Sequence, residues 1–478
     1  MATPIPRNHA RFTLAEIARV TGGEAIGAAC EAGAVTTDSR AIERGDLYVA
    51  LRGASHDGHA FVAQALQRGA AAALVSDRAA LPPGSAGVVV ADTLHALGEL
   101  AAQHRRRWGG RVVAITGSAG KTTTKELTFA ALRAAGARAM RSAGNLNNLI
   151  GAPMTLLTLD ASVDVAVIEI GTNAPGEIAR LSQICAPEVG VVTAVAAAHT
   201  EGLGSIERVA AEKAALLWAL PERGTAIHRA DSAPLAAQLG HVRATRRIGF
   251  GSAAGADVQL ASHALTAAPS MRVELNVAGR AEPLRCDLSL FGIGPAIDAA
   301  AAIAVVLALL GERALDAAAR GLAGVAPVPG RLAPLTSASG ALIIDDSYNA
   351  NPASMQASIA TALELARARG GRTLFVLGDM RELGQSSREE HEAVGRLAAQ
   401  PGVAAFIACG VEMTAAAEAA RVEARRAGAE LSIALLSDPA GAAELVQPLL
   451  RAADVVLVKG SRSMAMERVV RGLAGGAP

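Results

Sequence analysis

The 478-residue sequence predicts an α/β protein of three domains, each built on a largely parallel sheet. Three observations carry that expectation. Short β-branched runs alternate with alanine-rich helical segments along most of the chain. A glycine turn, "GSAGKTT" at 117–123, separates one such run from a helical pattern. The alternation breaks at "QHRRRWGG" near residue 108 and at "VAPVPGRL" near residue 329, which divides the chain into 1–108, 109–329 and 330–478.

The first block offers strands in "DLYVAL", "AAALVS" and "GVVVAD", with helices between them. The second places strands in "RVVAIT", "DVAVIEIG", "EVGVVTAV", "GTAIH" and "RRIGFG", a doubly wound parallel sheet with β-rich decoration around 257–290. The third repeats the alternation in "ALIIDD", "RTLFVLGD", "VAAFIACG", "LSIALLS" and "DVVLVKG", a Rossmann-like sheet. It has no G-x-G-x-x-G after its first strand, which argues against a nicotinamide site.

Bulk chemistry narrows the function. Lys and Arg number 45 against 44 Asp and Glu, a net charge of +1, so nothing points to nucleic acid. The one dense basic run, Arg105 to Trp108, reads as a solvated helix end. Hydrophobic residues make up 51% of the chain but aromatics only 2%, so the cores are expected to be aliphatic and closely packed. Cys30, Cys185, Cys286 and Cys409 are scattered without metal spacing and read as reduced structural thiols. The first twenty residues lack a signal-peptide core, and the apolar run after Pro295 is interrupted by Asp298. The expectation is a cytoplasmic protein without membrane insertion, and a monomer by default.

The turn at 117–123 carries the clearest chemistry. A strand, a glycine turn and a helix start aim backbone N–H groups and the positive helix end at one spot, which suits a phosphate. Gly117, Ser118, Ala119, Gly120, Lys121, Thr122 and Thr123 form this nucleotide loop, with Lys121 over the β/γ-phosphates of ATP and the Thr122 hydroxyl toward Mg²⁺. The loop is a short G-x-x-G-K-T, with Ile115 where the general pattern has its first glycine.

Three further residues lie where ligands bind in open α/β sheets, beyond the carboxyl ends of strands. Glu169 ends a strand between isoleucines; His199 follows another strand, where a lone histidine is by itself as readily structural as functional. With Thr122 they make a set of Mg²⁺ ligands, direct or through water. Lys213 falls within the apolar stripe Ile206, Val209, Leu216 and Leu220, either snorkelling or aimed into a site.

At this point the residues match a known family. "ITGSAGKTTTKE", "NLNNLIGAPMTLL", "VIEIGTNAPGEIARL", "AAAHTEGLGSIERVAAEK", "DDSYNANPASMQASI", "VLGDMRELG" with His391 nearby, "LVKGSRSMAME" and the N-terminal "VTTDSRAIERGDLYVALRGASHDGHAF" resemble the Mur ligases over nearly the whole chain. They are most similar to the branch that joins D-Ala-D-Ala to UDP-MurNAc-tripeptide in peptidoglycan synthesis. The resemblance implies an N-terminal UDP-sugar domain, a central ATPase and a C-terminal Rossmann-like domain that closes over both. It implies that ATP activates a peptide carboxylate as an acyl phosphate, which an amine then attacks.

The same resemblance implies residue roles. Glu169 and His199 would belong to the metal sites, and Lys213 matches a lysine carbamylated in the family. Asn145, Asn148 and Thr172 would lie around the peptide and phosphates. Arg331 would reach ATP on closure, and Asp346, Tyr348, Asn349 and Asn351 would form a nucleotide-facing loop. Ser39, Arg40, Asp57, Gly58 and His59 would belong to the UDP-sugar domain. One departure stands out: where the family reads G-[RK]-H-N-x-x-N-A, this chain reads "GIGPAIDA", with Pro295 and Asp298 in place of the asparagines. The family's adenine contact is therefore not carried over to either residue.

Rival readings are a sister ligase that adds a diamino acid, a folylpolyglutamate synthase-like ligase, and a P-loop protein without ligase activity. The first carries D-N-P-R where this chain has "DDSYNANP", and the second lacks the N-terminal domain. Retention of Lys121, Glu169, His199 and Lys213 together argues against the third. Whether the tripeptide carries diaminopimelate or lysine is not written in these motifs.

Overall fold

The computed structural model describes residues 3–53, 56–196, 205–266 and 270–475. The N-terminal domain holds a five-stranded sheet in the order Glu24–Ile26, Gly87–Val89, Ala72–Val75, Leu47–Val49, Val35–Thr36, parallel except for its first pair. The expected strands are present, beside the short strands Glu24–Ile26 and Val35–Thr36 at the sheet edges and a separate antiparallel pair, Phe12–Thr13 with Glu31–Ala32, that pattern did not register. Its last helix, Thr93–Trp108, is capped by the Asp92 carboxylate at one end and by left-handed Gly109 at the other.

The run at this helix end differs from the solvated face expected. Arg106 and Arg107 are exposed, but Arg105 is buried. It donates to the carbonyls of Cys185 and Ala186, at the C-terminus of helix Glu177–Cys185, and pairs with Glu188 at 2.7 Å. The orphan carbonyls and negative end of one helix hold the cation of another. The hydrophobic cluster is continuous here too, running from Phe12, Val49 and Leu97 to Val112, Ile168 and Leu181.

The central sheet has nine strands. In spatial order they are Leu284–Leu288, Met271–Val277, Val258–Leu265, Arg246–Gly251, Thr225–Arg229, Val189–Val192, Arg111–Thr116, Val165–Glu169 and Ala139–Arg141. The first three are antiparallel to one another, the decoration expected around 257–290, and the rest are parallel. Chain order reverses at Arg111–Thr116, so the glycine turn leaves the sheet at its switch point.

Helix Ile293–Leu310 packs under this sheet against helix Lys121–Ala134. By length and composition it is the one described helix able to cross a membrane, yet Ala299 to Val306 are fully buried in the central core. Small side chains let the two helices approach closely, which is how a nearly aromatic-free core reaches full packing.

The C-terminal sheet has six strands: Ala333–Thr336, Leu342–Asp346, Val455–Lys459, Thr373–Gly378, Val403–Cys409 and Ser432–Leu436. All are parallel except the first, an edge strand that pattern did not register. Phe291, from the central domain, is buried in the core of this one.

Candidate active site

The phosphate loop is shaped by what its glycines allow. Gly117 has φ 153° and a Cβ there would stand 2.0 Å from Thr193 Oγ1; Gly120 is left-handed at φ 80°. Thr193 Oγ1 donates to Ala119 O at 2.5 Å, and Ser118 N donates to Ala194 O at 2.8 Å, so the neighbouring strand end braces the loop. Lys121 Nζ folds back to Gly117 O at 2.7 Å. Burial lowers its pKa and Arg331 pushes the same way, while Glu169 opposes both.

Glu169 is the hub. It is 1% exposed, accepts from Thr122 Oγ1 at 3.0 Å and from Asn147 Nδ2 at 2.8 Å, and lies 3.5 Å from Lys125 Nζ. Burial alone would raise its pKa, but Lys125, Lys121, Arg331 and the Asn147 bond outweigh that and hold it low. The carboxylate is thus kept ionised in a buried, cation-rich spot.

Lys125 and Asn147 escaped sequence reasoning. Lys125 is fully buried, and its Nζ also donates to Gly144 O at 2.8 Å, tying the 144–148 turn to Glu169. The available signal was its position one turn after Lys121 on the same helix face. Asn147 reaches Glu169, whereas its neighbour Asn148, expected around the peptide and phosphates, does not. Asn148 Oδ1 accepts from the N–H groups of Ile150 and Gly151 at the start of helix Gly151–Leu156. Thr172 lies just beyond the Glu169 strand with its hydroxyl on Ala174 O.

Lys213 is 2% exposed on helix Ile206–Trp218, and its Nζ has no hydrogen-bond partner among the described residues. Burial takes its pKa down to about 7, with nearby Lys121 adding to the effect. His199 lies outside the described residues.

The C-terminal domain reaches this group directly. Asn145 Nδ2 donates to the Tyr348 hydroxyl at 3.2 Å, while Asn145 Oδ1 accepts from Thr3 Oγ1 at 2.7 Å, so all three domains meet at one carboxamide. Arg331 stacks on the Tyr348 ring at 4.2 Å and stands near enough to bias Glu169, Lys121 and Asp298. Asn351 caps helix Pro352–Arg369 and reaches Ser118 O at 3.4 Å. Asp346 is held by Lys459 Nζ and by Ser358 Oγ at 2.6 Å, and Lys459 also binds Asn349 O, so these residues shape the loop that presents Tyr348.

The N-terminal set forms a separate group. His59 Nε2 accepts from Ser76 N at 2.9 Å, which leaves the proton on Nδ1, 2.6 Å from Asp57 Oδ1. Gly58 passes so close to Leu51 that a Cβ would meet its backbone at 2.8 Å. Arg40 grips Asp38 through both carboxylate oxygens, and Ser39 between them is buried. No hydrogen bond joins these residues to the phosphate-loop group among the described residues.

Three family models match successive stretches: Mur ligase family, catalytic domain, over 31–105; Mur ligase middle domain over 115–306; and Mur ligase, glutamate ligase domain, over 330–462. The UDP-N-acetylmuramoyl-tripeptide--D-alanyl-D-alanine ligase of Escherichia coli (strain K12) is 38% identical, covering 96% of this chain and 98% of its own. The chain belongs to the Mur ligase family.

Solved structures agree on the three-domain architecture. MurF from Acinetobacter baumannii superposes with a TM-score of 0.86 at 32% identity, over 98% of this chain and all of its own. MurF from Thermotoga maritima in complex with ADP does so at 0.81 and 28%, over 92% and 97%. A UDP-N-acetylmuramoyl-L-alanyl-D-glutamate--2,6-diaminopimelate ligase shares the fold, at 0.54 and 17%. As a Mur ligase, this protein is an ATP-dependent enzyme that forms an amide bond.

Proposed function

We propose that this Mur ligase joins D-alanyl-D-alanine to UDP-N-acetylmuramoyl-tripeptide in peptidoglycan precursor synthesis, in the cytoplasm, as a monomer, with domains divided near residues 108 and 329. The observation that carries the reading is Glu169: a buried carboxylate at the phosphate loop, flanked by Lys125 and Lys121 from its own domain and by Arg331 from the next. Cations converging from two domains suit a reaction in which ATP and a second anion must meet. The high full-length similarity to D-alanyl-D-alanine ligases, against 17% for the diaminopimelate ligase, favours the dipeptide as acceptor.

The roles follow from position. The 117–123 loop grips the phosphates through backbone N–H groups, and Lys121 leaves Gly117 O to meet the charge that moves during transfer. The tripeptide carboxylate takes the γ-phosphoryl group as an acyl phosphate, the acceptor amine attacks its carbonyl carbon, and phosphate leaves. Asn145, Asn148 and Thr172 line the peptide side. Arg331 and the Tyr348–Asn351 loop bring the C-terminal domain onto the nucleotide. Ser39, Arg40 and the Asp57–His59 turn serve the UDP-sugar.

Magnesium fits the donor set. Thr122 and Glu169 offer hard oxygens side by side, and Lys213 offers an amine, without a hydrogen-bond partner among the described residues, that a carbamate would turn into a third. No cluster of three His, Cys, Asp or Glu occurs among the described residues, so phosphate oxygens and water would complete the shell. His199 is proposed as a further ligand. The bound ion would neutralise phosphate charge.

An ADP-release screen crossing UDP-MurNAc-peptides with D-Ala-D-Ala and single amino acids tests this. ADP should appear with the tripeptide and dipeptide together. Release with UDP-dipeptide and diaminopimelate or lysine instead would move the assignment to the sister ligase.

A further inference from the structure

Asp298 takes no part in the chemistry above, yet it stands against the phosphate loop. It is 7% exposed, in the second turn of helix Ile293–Leu310, and its Oδ1 accepts from Thr124 Oγ1 at 3.0 Å. A Cβ on Gly120 would lie 2.4 Å from that same oxygen, so the carboxyl packs directly on the loop's last glycine. Thr124 belongs to the first turn of helix Lys121–Ala134. The carboxyl therefore lies beside the same positive helix end that would receive the phosphates.

The charged groups facing it are few. Arg229 ends the adjacent strand and is already paired with Asp231. Arg331 arrives from the C-terminal domain, and Lys121, at the helix start, turns its amine to Gly117 O. Burial is the largest influence on Asp298 and pushes its pKa up to about 7, against the Thr124 bond and the two arginines. The group is poised to change charge near neutral pH.

We propose that Asp298 is a proton-linked gate on nucleotide binding: the polyphosphate enters with a proton taken up at this carboxyl. An ionised Asp298 and a phosphate chain would share one helix end with only the loop backbone between them, and their repulsion favours the neutral acid once nucleotide is bound. The proton comes from solvent, and no covalent bond is made or broken. By linkage, nucleotide affinity falls as pH rises through the free-state value, by up to about tenfold per pH unit while the bound value stays above the pH. The inference rests on the reading of 117–123 as the ATP loop.

Calorimetry of magnesium-ADP binding to the full-length protein, in buffers of different ionisation enthalpy, counts protons taken up. Wild type and Asp298→Asn are compared side by side, which cancels the titration of nucleotide and of Lys213. The carboxamide keeps the shape and still accepts from Thr124. Wild type should take up a fraction of a proton that the variant does not, and the variant should bind several-fold tighter above pH 8. Thr124→Val, which removes a bond favouring the ionised form, should move the midpoint of the affinity profile upward; it serves equally if Asp298→Asn does not fold. Equal proton uptake in wild type and Asp298→Asn, or a Thr124→Val midpoint that stays in place, overturns the gate while leaving the ATP loop intact. No nucleotide binding by the wild type overturns both.

Discussion

Lys121 and Lys213 are neighbouring lysines in one site with opposite requirements. In the proposed reaction Lys121 has to stay charged to meet phosphate, and the ionised Glu169 favours that against burial. Lys121→Ala should leave a folded protein whose kcat falls about 10²–10³-fold, the loss expected for one preorganised contact to developing charge (~3–4 kcal/mol). Near-wild-type turnover in a folded variant would remove the phosphate-loop assignment. Lys213 instead has no hydrogen-bond partner for its amine among the described residues, and it lies on the buried face of its helix with Val209, Ala210, Leu216 and Leu217. A bare ammonium there is costly, and the neutral amine is the form that reacts with CO₂. Lys213→Ala should lose most activity, and added formate or acetate should restore part of it by filling the vacated space with a carboxylate. Lys213→Arg keeps a cation but cannot carry the carbamate, so it should match the alanine variant; full activity would mean the lysine only snorkels.

At the scale of elements, helix Thr93–Trp108 links the N-terminal domain to the central one because Arg105 caps helix Glu177–Cys185. Arg105→Ala would leave the Cys185 and Ala186 carbonyls without that donor. With Glu188 two-fifths exposed, the expected loss is about 1–3 kcal/mol, read as a lower urea midpoint with KM for ATP unchanged. An unchanged midpoint would show the contact to be incidental. This helix also marks where pattern stops informing. The phosphate loop, the Glu169 strand end and the buried face of Lys213 were legible because each is local: a turn, a strand terminus, a helical period. Lys125 was not, since its partners Glu169 and Gly144 arrive from other segments. Asn147 and Asn148 are adjacent in a turn without period, and only the fold decides which of them caps a helix and which meets Glu169. Arg105 read as solvated for the same reason, and Phe12–Thr13 is too short for alternation to register.

Across the whole molecule, the described contacts between the C-terminal and central domains include two unlike kinds. Phe291 is buried in the C-terminal core, and Gly292 behind it passes so near Thr361 that a Cβ would stand 2.1 Å from its hydroxyl. That seat is apolar, close-packed and not easily separated. At the site the contacts are polar and partly exposed: Asn145 to Tyr348 at 3.2 Å and Asn351 to Ser118 at 3.4 Å. Such bonds are worth about 0.5–1.5 kcal/mol each and exchange readily with water. A firm seat and a weak rim suit a pivot, and the proposed function would then use the 325–332 segment as tether and Arg331 as the group that arrives when the rim closes. Small-angle scattering should therefore give a smaller radius of gyration with an ATP analogue and UDP-peptide than without ligands. Phe291→Ala should widen the distribution of shapes in the free protein, whereas Arg331→Ala should still close and fail in kcat. Identical dimensions with and without ligands would mean that the site is assembled before substrate arrives, and Arg331 would then owe its position to the Tyr348 stack alone.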